Sequence, residues 1–393
     1  MRVEQCLARI DLRDAEVRGW THLDRTAASG QGPLSGSVLA VKDVIDVAGM
    51  PTRHGSPIFV DNVAKCDAEA VAILRAAGAA VLGKTVTAEF ATYAPGPTGN
   101  PRKPGHTPGG SSSGSAAVVA DGQADIALGT QTAGSMIRPA SYCGVLAFKP
   151  TFGRYPLGGV LETAPSLDTL GLFARNIELL EHADAVLAHD EEQPSPSRPL
   201  RVGLCRTPFW TTASDEMQSA VLDFADALAG AGHEIREVDL PPPFFGLNDA
   251  QTIIHRFEAA RALGHIRRDN PDEISEQFRT LIDQGLADSE EDYAAAVRLR
   301  DECRSFLPAI FSSVDLLLTP GAPGAAPDGL HATGDPVFQR SWTAVGAPCL
   351  GIPGAWRADG LPLGLQAVAM PGHDRRLLAN AKTLTAFATF KEI

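Results

Sequence analysis

Two stretches, SVLAVKDVIDVA at 37–48 and DAEAVAILRAAGAAVL at 67–82, decide the fold. The first is rich in β-branched residues and ends at Gly49, the pattern of a buried strand. In the second, Asp67 reads as the cap of a helix that carries Val71 and Leu74 to Gly78, and Ala79–Leu82 reads as the next strand. The unit recurs at 201–241. There RVGLC is a strand, Ser214 caps a helix with Met217, Val221, Phe224 and Leu228 as its apolar stripe, Gly230 and Gly232 stop it, and Glu234–Leu240 is a further strand. Strands alternating with amphipathic helices predict an α/β fold: one large, twisted, mixed to mostly parallel sheet covered by helices on both faces.

Outside these units, 191–200 (EEQPSPSRPL) predicts a surface loop between halves. The segment 248–312 is helical and well charged, with expected caps at Asp249, Asp272 and Ser289. The block 319–336 is rich in Pro, Gly and Ala and predicts a long irregular loop, often functional in a compact fold. No repeat of solenoid length occurs. The expectation is one domain over 1–393.

The 393 residues carry a net charge of −13, with 44% apolar and 21% charged side chains. That balance supplies no excess of Lys or Arg for neutralising phosphates, so the expected partner is a small molecule and not a nucleic acid. Cys6, Cys66, Cys143, Cys205, Cys303 and Cys349 are scattered without a CxxC pair, as free and mostly buried thiols in a reducing compartment. Met1–Asp14 lacks the apolar run of a signal peptide, and no stretch has the roughly 18 uninterrupted apolar residues of a membrane helix. The expectations are a cytoplasmic protein with no membrane association.

The unusual chemistry lies at 95–155. Two Gly/Ser clusters, PGGSSSGSAA (108–117) and GTQTAGSMIRPAS (129–141), flank the apolar stretch 116–128. Either cluster alone reads as a flexible turn. Both, however, lead into helix-compatible stretches whose backbone N–H groups can converge on an anion, and their small residues admit close approach of a substrate to the main chain. Gly110–Gly114 also satisfies G-x-S-x-G, the nucleophile elbow, with Ser112 as the implied nucleophile. That motif needs a buried strand before it, and the preceding Lys103–Pro108, KPGHTP, cannot supply one. The clusters lack the Lys of a P-loop and the G-x-G-x-x-G of a dinucleotide fold. The histidines form no HExxH or i, i+4 pair, so neither a metal nor a cofactor is expected.

Read together, Pro108–Ala117, Gly129–Ser135, Arg138, Gly144 and Lys149–Arg154 resemble the amidase-signature family. Val41-Lys42-Asp43, Thr98–Pro101, Ser166–Gly171, Asp315–Pro320, Ser341–Pro348 and Gly360–Gln366 extend the likeness over about 36–385, with a signature core at about 36–175 and the helical segment 248–312 shaping the substrate site. The resemblance implies a Ser–cis-Ser–Lys triad: Ser135 as nucleophile, Ser111 as bridging serine behind a cis peptide bond, and Lys42 as base. It implies an oxyanion hole from the backbone N–H groups of Thr132, Ala133, Gly134 and Ser135. The residue chemistry agrees, because a serine needs a base and a lysine serves as one only when neutral, which the apolar flanks of Lys42 favour. An isolated strand lysine is more often ion-paired or snorkelling. The chain departs from many members at Gln131 (Asp), at Ala133 (Gly) and in placing Arg three residues beyond the nucleophile, at Arg138. The GTQT and S-x-I-R variant resembles small-acid amidases such as malonamidase. Arg138 either pairs bidentately with a substrate carboxylate or caps structural carbonyls.

The implied activity is hydrolysis of the C–N bond of a small carboxamide, or a related urea or carbamate, through an acyl-enzyme on Ser135, in a monomer or homodimer. One rival is the A subunit of a glutamine-dependent tRNA amidotransferase, which shares the triad but passes ammonia on. A second is an esterase using Ser112 and a histidine.

Overall fold

The structure, a computed structural model, describes residues 2–190, 192, 194–391 and 393. Among the described residues eleven strands form one sheet: β1 (Trp20–Leu23), β2 (Val38–Lys42), β3 (Ala80–Thr85), β4 (Ile126–Gln131), β5 (Leu146–Lys149), β6 (Thr169–Ala174), β7 (Arg201–Leu204), β8 (Glu234–Glu237), β9 (Leu316–Pro320), β10 (Cys349–Trp356) and β11 (Pro362–Val368). Their order is β1-β3-β2-β4-β6-β5-β10-β11-β9-β7-β8.

The sheet is mixed, and its hand of pairing follows the connections. The expected strand–helix–strand units are the parallel parts: β3-β2-β4 on one flank and β9-β7-β8 on the other. Between them, β4-β6-β5-β10-β11-β9 runs antiparallel throughout, as does the edge pair β1-β3. Antiparallel pairs therefore outnumber parallel ones, which corrects the mostly parallel expectation. Only one of these pairs has a local cause: β10 and β11 are joined by a short turn around Gly360, and a connection that short allows only a hairpin.

Both faces are covered, as alternation along the strands requires. Leu39, Val41, Ile126, Leu128, Leu316 and Leu318 enter one apolar cluster with helices Glu69–Ala76, Ile177–Ala188, Asp215–Gly230 and Asp374–Thr385. Their neighbours Val38, Ala40, Ala127 and Leu317 enter the cluster on the other face. Helix Leu247–Asp269 packs on helices Glu276–Ala287 and Glu290–Ile310, and shares with the first of these an apolar cluster that includes Phe90 and Phe278.

The caps sort by what each polar side chain finds. Ser214 accepts from Met217 N, and Ser289 forms a capping box with Asp292. Asp67 is not a cap: its carboxylate holds Ala48 N and Arg75 instead, and the helix starts after Ala68. Asp249 lies inside the first turn of its helix, and Ser275, not Asp272, caps the next. Of the loop at 191–200, Glu191 and Gln193 lie outside the described residues; the rest is irregular. Beyond Pro320 the chain has no helix or strand until Arg340, as expected. All six cysteines are free, five of them buried. Among the described residues no helix is long and apolar enough to cross a membrane.

Candidate active site

Because β2 and β4 are parallel neighbours, their C-terminal ends lie at the same edge of the sheet, the usual place for a site in such folds. Lys42 is the last residue of β2, and Gln131 the last of β4. Helix Ser113–Ala120 begins at the same edge, so the first serine cluster meets the second there.

Lys42 is fully buried. Its Nζ lies 2.8 Å from Ser111 Oγ and 2.7 Å from Thr130 Oγ1. Burial pulls the amine down to about 7, partly opposed by the Asp168 carboxylate. The adjacent acid does not serve as its counter-ion: Asp43 pairs at 3.0 Å with Lys84, both side chains being sealed from solvent. Among the described residues Lys42 makes no ion pair, so the ion-paired reading fits Lys84 and not Lys42. The Gly110–Ser111 peptide is cis.

The turn from β4 into helix Ile137–Cys143 carries Ser135. Gln131 closes it: Oε1 accepts from Met136 N at 2.8 Å and Ile137 N at 3.1 Å, while Nε2 donates to Thr343 Oγ1. The amide thus satisfies the orphan donors of the helix start from the end of the strand, a place where Asp is the commoner residue in the resembled family. All four loop carbonyls are taken. Thr132 O accepts Gln251 Nε2 (2.9 Å), Ala133 O accepts Thr343 Oγ1 (2.7 Å), Gly134 O accepts Arg138 N (3.2 Å) and Ser135 O accepts Ser112 N (3.3 Å). Among the described residues, none of the four N–H groups of 132–135 is taken, and the Ser135 hydroxyl makes no hydrogen bond of its own. Gly134 leaves no room for a side chain: a Cβ there would meet Pro336 at 2.7 Å and Gln339 at 2.9 Å.

The structure separates the alternative readings of two residues. Ser112 is fully buried, donating to Thr130 O and accepting from Thr130 N, which ties the serine cluster to β4. Among the described residues no histidine bonds Ser111, Ser112 or Ser135, so the Ser112–His arrangement is absent. His255, the buried histidine near Arg340, is driven down to about 3 by burial and by that arginine. Arg138 is held by carbonyls: Nε donates to Thr333 O (2.7 Å), and Nη2 donates to Gly110 O (2.6 Å) and Thr333 Oγ1 (3.1 Å). Only Nη1 is without a partner, so the bidentate pairing with a carboxylate is not available.

Sequence reasoning did not single out Thr130, Asp168 or Gln251. Thr130 and Asp168 stand inside quoted motifs, GTQT and SLDTLG. Gln251 reaches the site from a helix 119 residues beyond Thr132, and nothing local announces it.

The Amidase family model matches residues 12–378. A protein named as the A subunit of glutamyl-tRNA(Gln) amidotransferase, from Koribacter versatilis (strain Ellin345), is 32% identical over 93% of this chain and 90% of its own length. A solved amidase superposes with a TM-score of 0.90 at 31% identity, covering 99% of this chain and 96% of its own. The A subunit of the Thermotoga maritima amidotransferase superposes with a TM-score of 0.86 at 22% identity over 100% of this chain and 94% of its own, which shows the shared fold alone. The chain belongs to the amidase-signature family, enzymes that act on C–N bonds.

Proposed function

We propose that this enzyme cleaves the C–N bond of a carboxamide through an acyl-enzyme on Ser135. Neutral Lys42 takes the proton of Ser111, Ser111 takes that of Ser135, and the Ser135 oxygen adds to the amide carbon. The proton returns through Ser111 to the leaving nitrogen, which departs as ammonia or an amine, and water then hydrolyses the ester. The observation that carries this reading is the loop 132–135, with every carbonyl engaged and every N–H open. Such a loop offers donors to a developing oxyanion without rearranging, each worth roughly 3–4 kcal/mol in comparable enzymes. Arg138 serves by holding Gly110 beside Ser111. The helices at 248–312 shape the substrate site through Gln251.

Two fates of the nitrogen separate the readings. Released to solvent, it makes the chain a small-molecule amidase, which the solved amidase supports. Passed to a partner, it makes the chain one component of an amidotransferase, and the names of the curated relatives support this more directly. The expectation that no nucleic acid is a partner is therefore not supported by these relatives. Purified chain is assayed for ammonia from aliphatic, aromatic and carboxylated amides and from glutamine, with Ser135→Ala as the blank. Turnover of amides by the chain alone supports the amidase. Glutaminase activity that appears only with an added partner protein and a charged tRNA supports the transferase. No Ser135-dependent ammonia under either condition contradicts both.

A further inference from the structure

Asp168 stands immediately before β6, in the run Ser166–Gly171. The β4–β6 register pairs Gln131 with Thr169, which brings Asp168 level with Thr132, the first residue of the N–H loop. Its buried carboxylate uses both oxygens. Oδ1 accepts from Thr132 Oγ1 at 2.5 Å, and Oδ2 accepts from Thr163 N at 2.7 Å and Ala164 N at 2.8 Å. Three donors on one anion support the charged form inside the fold, although burial, helped by Glu258, still raises the group to about 6. Among the described residues Asp168 has no ion-pair partner. A cavity of about 80 Å³ adjoins it, walled by Asp168, Thr130, Thr132, Thr163 and Thr169 among others. Thr130 is also the residue whose hydroxyl meets Lys42 Nζ. Asp168 and Thr130 thus border one small cavity, part polar and part apolar, and Thr130 in turn meets Lys42, whose charged form the carboxylate favours.

The other charges nearby are accounted for. On the Lys42 side, Asp43 is matched by Lys84, and the groups in contact from the serine cluster and β4 are the neutral hydroxyls of Ser111 and Thr130. On the Asp168 side, Glu162 borders the same cavity from an exposed position, and Glu258 reaches in from helix Leu247–Asp269 and is bonded to Ser166 and Tyr293.

We propose that Asp168 is a positioning residue for the reaction: its carboxylate fixes the start of the N–H loop through Thr132 and is the counter-charge of Lys42. One side chain then ties the place where the oxyanion forms to the group that takes the proton. The idea rests on Lys42 being the base. A carboxylate that favours Lys42–NH₃⁺ holds the onset of activity at higher pH than burial alone would. Removing its charge lets the amine lose its proton earlier, so the acidic limb of the profile moves down.

The test is the pH dependence of kcat/KM for Asp168→Asn, on a substrate that turns over in the unmodified enzyme. Asn fills the same volume, its oxygen can accept from Thr163 N and Ala164 N, and its nitrogen can donate to Thr132. The limb is expected to move down by about one pH unit. Thr132→Val, which deprives the carboxylate of one donor and so weakens its charge, moves the limb the same way by less. A limb that stays at the wild-type pH in a folded Asp168→Asn enzyme, whatever happens to kcat, overturns the proposal. Should that variant not fold, an unmoved limb in folded Thr132→Val overturns it equally. The two ideas fail separately: an active Lys42→Ala enzyme removes the base itself, whereas an inactive Lys42→Ala enzyme with an unmoved Asp168→Asn limb removes only the role of Asp168.

Discussion

At Lys42 the sheet delivers an amine that is sealed from water, held by two hydroxyls and, among the described residues, without an anion in ion-pair contact. Burial disfavours its charged form and brings it down to about 7, so the reactive neutral form gains population as pH rises through that value. Activity should therefore rise along a single acidic limb near neutral pH, far below the reference lysine value of about 10.4. Lys42→Arg should be inactive, since a guanidinium does not release its proton in this range. A pH–rate profile of both enzymes checks this, and near-normal turnover by Lys42→Arg would refute the assignment. Residues of this kind were legible because they sit in motifs: Lys42, Ser111 and Ser135 are each placed by neighbours in sequence. Arg138 was legible only as a choice between two roles, because its partners Thr333 and Gly110 come from segments that meet it only in the folded chain.

At the scale of elements, the strand end at Gln131 and the helix start at Met136 are locked together by one amide. Gln131→Ala should leave two helix N–H groups without their acceptor and take one donor from the Thr343 hydroxyl, which keeps Ala133 O, costing about 1–3 kcal/mol of stability and displacing the loop that carries Ser135. Gln131→Glu keeps the acceptor and should be milder in both respects. Thermal unfolding and kcat measured on the same preparations test the pair; an Ala variant with full activity and unchanged Tm would contradict this role. The elements themselves were unevenly legible. Two units of the parallel flanks, β2 to β3 and β7 to β8, announced themselves because an amphipathic helix joins each pair of strands, as at Met217, Val221, Phe224 and Leu228. The antiparallel centre did not. β5 is four residues long and buried throughout, so it shows neither alternation nor length, and its partners β6 and β10 follow from long-range pairing that no local pattern encodes. Asp67 misled for a related reason, since a carboxylate at a helix start caps it only if no better donors are near.

Across the whole molecule, the sheet brings into one place groups far apart in the chain. Lys42 and Ser111 come from the first third, Thr130 to Ser135 from the next strand end, Gln251 from a helix and Thr343 from beyond the long loop. The two apolar clusters on opposite faces of the sheet make that assembly rigid, so the loop 132–135 is held open before substrate arrives. Everything proposed for the enzyme, whether its nitrogen goes to water or to a partner, depends on Ser135 becoming acylated. The most direct measurement is intact-mass and peptide mapping of enzyme trapped during turnover of a slowly hydrolysed amide or by a serine-directed acylating reagent. The account predicts one added acyl group on Ser135 and none in Ser135→Ala, with Ser112→Ala still labelled. An adduct on Ser112 or on a cysteine, or one that persists in Ser135→Ala, would contradict it.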